Sequence, residues 1–141
     1  MKLFQIEEPE GAPLESDGPG AAVGIDLGPG SAAIAIALGG NAEILPGVDG
    51  GRRLPCGAGD LTPTLLSLRS RAEKQLARPV THAVIAADGE SVAIEGAARG
   101  AGLTILRLIK RAEAARLGGS GEDAAALGAA LRAEVDAPRV S

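Results

Sequence analysis

The chain has 141 residues, 45% hydrophobic and 23% charged, with a formal net charge of −4, a length that suits one domain with a modest core. Its adjacent basic pairs, Arg52 with Arg53 and Lys110 with Arg111, extend into no cluster, so no nucleic-acid partner is expected. The one cysteine, Cys56, excludes an internal disulfide and a cysteine metal cage, and no apolar run approaches the roughly 20 residues of a membrane span.

Twenty-one glycines and a single aromatic residue, Phe4, leave the core to Ala, Val, Ile and Leu. Marginal stability is expected, because glycine costs backbone entropy and small side chains bury little area. Residues 1–20 carry three prolines, three glycines and several acids and read as a mobile leader. Met1 to Asp17 is acidic and has neither the basic nor the apolar region of a secretory signal, which leads to the expectation of a cytoplasmic protein.

Order is expected from Ala22. AVGIDL (22–27) reads as a buried strand ending at Gly28, and Pro29-Gly30 as a turn. AAIAIAL (32–38) reads as a second strand and residues 42–45 as a third, stopped by Pro46; tight turns make the three an antiparallel meander. Residues 46–60, with five glycines and two prolines, form a loop. The spacing of Leu65, Leu68, Ala72 and Leu76 predicts a helix capped by Thr62, with Pro63 in its first position and Arg69, Arg71 and Lys74 on its wet face. THAVIAA (81–87) is a fourth strand closed by Asp88-Gly89, and 90–101 a glycine-weakened helix. LTILRLI (103–109) is a fifth strand or the start of a helix; 110–117 is helical. A last alanine-rich helix runs to about Val135 behind capping-box-like spacing of Ser120 and Asp123. The expected architecture is a single α/β domain over residues 21–136, one mixed sheet flanked by helices, followed by a tail at 137–141.

The local feature with chemical content is GIDLG at 24–28. A carboxylate near the end of a buried strand can hold Mg²⁺, while the N–H groups of the glycine turn face a phosphate. The same five residues also describe an ordinary hairpin with a solvated aspartate.

VGIDLG (23–28) followed by SAAIAIALGGNAEILPGVDGGRRLP (31–55) resembles the opening of the DnaK/HscA heat-shock chaperone ATPase domain. LTPTLLSLRSRAEKQL (61–76), THAVIAA (81–87), AARGAGLTILRLIKRAEAARLGG (97–119) and EDAAALGAALRAEV (122–135) are similar to later segments of that domain, in the same order. FQIEEPEG (4–11) resembles the start of the HscA branch. The resemblance implies an actin-like, ribonuclease H-like fold reduced to a single lobe, and ATP or ADP with Mg²⁺ near Asp26, Gly28, Gly30 and Ser31, with Asp26 toward the metal. It implies ATP-dependent protein folding and iron–sulfur cluster assembly, with an iron–sulfur scaffold protein and a J-type co-chaperone as partners. A non-enzymatic lobe acting through protein–protein contact is the alternative.

Departures from the family pattern argue against turnover. Pro29 and Gly30 stand where the family has two threonines, so a phosphate donor is lost. Arg111 replaces an acidic residue associated with the metal site. The second lobe, its glycine-rich phosphate loop and the catalytic lysine segment have no counterpart, their place falling between Gly119 and Glu122. No catalytic residue is assigned. His82 reads as a half-buried or edge strand residue, and Cys56 as an incidental loop thiol. A metal-dependent nuclease of similar sheet order would need several carboxylates; only Glu43 and Asp88 join Asp26 near strand ends.

Overall fold

In a computed structural model, which describes residues 20–56 and 59–137, ten elements follow the chain. They are β1 (Ala21–Leu27), β2 (Ser31–Leu38), β3 (Asn41–Ile44), β4 (Leu54–Pro55), α1 (Thr62–Leu76), β5 (Val80–Ala87), α2 (Ser91–Gly100), β6 (Thr104–Ile109), α3 (Arg111–Gly118) and α4 (Ala124–Asp136). The leader up to residue 19 and the last four residues of the tail lie outside the described residues.

The elements form one mixed sheet of order β3-β2-β1-β5-β6, with β4 paired to the start of β2. The meander β1-β2-β3 is antiparallel, Ile25 opposite Ile34 and Ile36 opposite Glu43. β5 and β6 join it in parallel, with Ile25 beside Ile85 and Ala86 beside Ile109. The segment at 103–109 is therefore a strand; crossing back through α2 places its Ile and Leu residues on the sheet edge.

Both faces of β1 are covered, which explains a nearly continuous apolar run rather than a clean alternation. Val23, Ile25 and Leu27 pack with Leu65 and Leu68 of α1 and Ile94 of α2. The opposite face is filled by alanines: Ala33, Ala35 and Ala37 of β2 meet Ala126 and Ala130 of α4, and Val84 and Ala86 of β5 meet Ala129 and Ala133. Small side chains let the helix backbone approach closely. A Cβ built on Gly24 would overlap the backbone of Ala130, and one on Gly128 the carbonyl of Ala114. α3 and α4 thus meet backbone to backbone across a short connection.

Three sequence expectations are corrected. Thr62 is the first residue of α1 rather than its cap; Leu61 takes that position without a side-chain cap, and Asp60 Oδ1 accepts the N–H of Thr62 at 3.0 Å. Hydrogen bonding from Thr62, its backbone N–H foremost and its side chain second, lowers the pKa of Asp60. Ser120 and Asp123 make no capping box, since α4 begins at Ala124 without a side-chain cap. Arg69 is not a solvated residue of α1. It donates to the carbonyls of Val80 and Ala101 at 2.9 and 3.0 Å, tying the helix to the sheet. Among the described residues, no helix is long and apolar enough to cross a membrane.

Candidate functional site

The parallel strands β1, β5 and β6 end at one edge of the sheet, and the chemistry-bearing residues gather there. Asp26 is the penultimate residue of β1, on the face toward α3 and α4, and it is the buried charged side chain of the core, with no exposed surface. An ionised carboxylate in such surroundings needs partners. Two arginines supply them. Arg111, first residue of α3, donates from Nε to Asp26 Oδ1 at 2.6 Å and from Nη2 to Oδ2 at 3.2 Å. Arg53, immediately before β4, donates from Nη2 to Asp26 Oδ2 at 2.9 Å. The hydrogen bond to Asp26 raises the pKa of Arg111, with Coulombic help from Asp26 and Asp88 and against some desolvation.

The clamp continues on both sides. Arg53 Nε donates to Ser31 Oγ at 2.7 Å, and its Nη1 lies 3.9 Å from Asp123 Oδ1. Asp123 Oδ2 accepts from Arg52 Nε at 2.8 Å, while Oδ1 is buried with no hydrogen-bond partner among the described residues. Asp88 Oδ1 accepts the backbone N–H of Arg111 at 3.1 Å, at the start of α3. Charges of opposite sign therefore alternate from Arg111 through Asp26, Arg53 and Asp123 to Arg52, and Asp88 beside Arg111 balances the third arginine.

The glycine turn closes beside this chain of charges. Gly28 N–H donates to the Ser31 carbonyl at 2.9 Å, and Cys56 N–H to that of Gly30 at 3.0 Å. Gly30 has φ +83°, where a larger residue would be strained. A Cβ on Gly28 would stand 2.9 Å from Arg111 Nη2 and 3.2 Å from Arg53 Nη2. The space above the glycine, which a phosphate would need, holds two guanidinium groups.

Asp26, Gly28, Gly30 and Ser31 are thus brought to one place, as the sequence suggests. Their surroundings do not fit Mg²⁺. That ion takes oxygen ligands at roughly 2.0–2.1 Å in near-octahedral array, whereas both Asp26 oxygens are committed to arginine N–H groups and the carboxylate is wholly buried. Among the described residues, no group of three or more His, Cys, Asp and Glu side chains is placed to hold a metal. Glu43 lies on β3, away from Asp26, so the carboxylate cluster of a two-metal nuclease is not assembled.

A cleft of about 750 Å³ opens next to the clamp at the carboxyl ends of β1 and β5. Gly28 to Gly30, Arg111 and Asp88 to Glu90 line it together with the apolar Leu27, Leu61 and Ile94; Cys56 also lines it. A second cleft, about 710 Å³, lies between Pro46 and α1 and shares no lining residue with the first. His82 is half-buried on β5, an inner strand, with Nδ1 2.7 Å from Thr81 Oγ1; it takes no part in either cleft.

Arg53 and Asp123 are the site members that sequence reasoning does not identify. Arg111 is visible only as a departure from a family pattern. No protein-family model matches the chain, and no curated protein matches it.

Proposed function

We propose that this chain is a DnaK/HscA-type chaperone relative built on one actin-like, nucleotide-binding lobe, in which metal-dependent ATP turnover has been given up. Support for the lobe comes from the sheet order β3-β2-β1-β5-β6 with helices on both faces, and from a cleft at the carboxyl ends of its parallel strands. Open α/β sheets bind ligands at that edge, where the chain turns to opposite sides of the sheet. The observation that carries the loss of turnover is the pairing of both Asp26 oxygens with Arg111 and Arg53.

Phosphoryl transfer requires a metal, a positioned nucleophile and charge stabilisation acting together. Here the carboxylate offered to the metal is neutralised internally, and Pro29 brings no N–H to the phosphate turn. The function left to such a lobe is contact with proteins, and the resemblance names an iron–sulfur scaffold protein and a J-type co-chaperone as the partners to try. The test is phosphate release from Mg-ATP together with titration calorimetry. No turnover and no Mg²⁺-dependent heat are expected; hydrolysis above background that disappears in Asp26→Asn, at a temperature where circular dichroism shows that variant folded, would overturn the proposal.

A further inference from the structure

Arg111 spends Nε and Nη2 on Asp26 and its backbone N–H on Asp88, and Nη1 has no hydrogen-bond partner among the described residues. Its side chain is 28% exposed, against 17% for Arg53, whose Nε, Nη1 and Nη2 all donate. Arg111 is also the arginine that lines the 750 Å³ cleft. A half-buried guanidinium with a spare donor, set at the mouth of an apolar cleft, is a recognition element for an oxyanion. It is held in place by Asp26.

We propose that the cleft at the carboxyl ends of β1 and β5 binds a small apolar monoanion, a carboxylate on an aliphatic body, through Arg111 Nη1 and without a metal. Three observations set the class. Arg111 is the one cationic side chain among the described residues that line the cleft, which suits a single negative charge. Asp88, beside Arg111, and Glu90 line the same cleft, so each further negative charge on a ligand meets repulsion, and polyphosphates are disfavoured. Leu27, Leu61 and Ile94 offer an apolar wall of the size that takes a short aliphatic chain. The site uses only this geometry and stands independently of the chaperone reading.

Hexanoate, its neutral analogue hexanamide, and inorganic phosphate are titrated into the ¹⁵N-labelled full chain in EDTA, followed by amide chemical shifts. Hexanoate is expected to saturate, with shifts at Gly28, Gly30, Gly89 and Arg111. Hexanamide is expected to bind at least roughly tenfold more weakly, the loss of one charge-assisted hydrogen bond, and phosphate more weakly than hexanoate. Ala93→Phe, an exposed position of α2 that lines the cleft away from the ion pairs, should fold normally and lose hexanoate. Arg111→Gln should bring hexanoate down to the affinity of the amide; if it fails to fold, Ala93→Phe and the amide comparison still decide. Equal affinity for hexanoate and hexanamide, tighter binding of phosphate, a requirement for Mg²⁺, or no saturable binding would each overturn the proposal. The proposed loss of ATP turnover fails on a different result, hydrolysis of Mg-ATP.

Discussion

Arg111 Nε and Asp26 Oδ1 are 2.6 Å apart although 85 residues of chain separate them. The pair joins the end of β1 to the start of α3, and Arg53 Nη2 at 2.9 Å adds the segment before β4. One fully buried carboxylate therefore fixes three segments at the sheet edge where the candidate site lies.

Removing Asp26 leaves two guanidinium groups partly buried without their acceptor. Asp26→Ala is expected to cost about 3–5 kcal/mol, enough to unfold most of a marginal domain. Arg111→Ala should cost less, about 2 kcal/mol, because Arg53 still neutralises the carboxylate. Urea titrations followed by circular dichroism give both values, and Arg111→Ala exceeding Asp26→Ala would contradict the shared-acceptor arrangement.

Two glycine-to-alanine changes should have opposite signs. Gly128 sits where a Cβ would overlap the Ala114 carbonyl, so Gly128→Ala must push α3 and α4 apart and lose several degrees of melting temperature. Gly96, inside α2, has nothing within 4 Å of an added Cβ. Gly96→Ala should stabilise by about 0.5–1 kcal/mol through helix propensity. Thermal melts of the two variants check this directly.

Arg69 and Lys74 both lie on α1 but differ in what they touch. Arg69→Ala leaves the carbonyls of Val80 and Ala101 without their donor, and about 1–3 kcal/mol of destabilisation is expected. Lys74→Ala, at an exposed position, should stay within about 0.5 kcal/mol of the parent. Equal effects in urea titrations would mean that Arg69 is as solvated as its sequence position suggests.

Asp136 at the end of α4 has its pKa lowered, chiefly by the hydrogen bond from Arg107, with Arg132 contributing and some desolvation opposing. Its folded-state value lies below the unfolded one, near 3.9. The stabilisation is therefore fully present above about pH 4 and is lost as pH falls through the lower folded value. Asp136→Asn should remove this part of the acid dependence and loosen the tie between β6 and α4, seen as a flatter profile of stability below about pH 4.

Much of the fold is legible in the sequence because its apolar runs are short and bounded by glycines. AVGIDL and AAIAIAL fall within β1 and β2, and THAVIAA falls in β5. The two-residue β4 is not legible, since only its pairing with Ser31 and Ala32 makes it a strand. Helix starts mislead for a local reason: Asp60, one residue before the cap position, accepts the N–H of Thr62 and so draws Thr62 into the first turn, where it no longer caps. The glycine turn is readable as a candidate phosphate loop, yet the residues that occupy the space above it are not. Arg53 lies 27 positions from Asp26 and Arg111 lies 85, and nothing local couples them. Arg111 reads simply as a lost acidic residue until the fold places it against the carboxylate.

Arginine takes up both oxygens of the Asp26 carboxylate and leaves nothing for a cation. The chain has no Trp or Tyr, so the direct measurement is a circular-dichroism melt of the parent and of Asp26→Asn, each in EDTA, in millimolar Mg²⁺ and in millimolar Mg-ATP. The account predicts one midpoint for the parent in all three solutions, with Asp26→Asn melting lower by the same interval in each. A ligand held at 100 times its Kd would add about 2.7 kcal/mol, a shift of several degrees. Such a rise in the parent with Mg²⁺ or Mg-ATP, absent from Asp26→Asn, would show that the carboxylate does take a metal and would contradict the account.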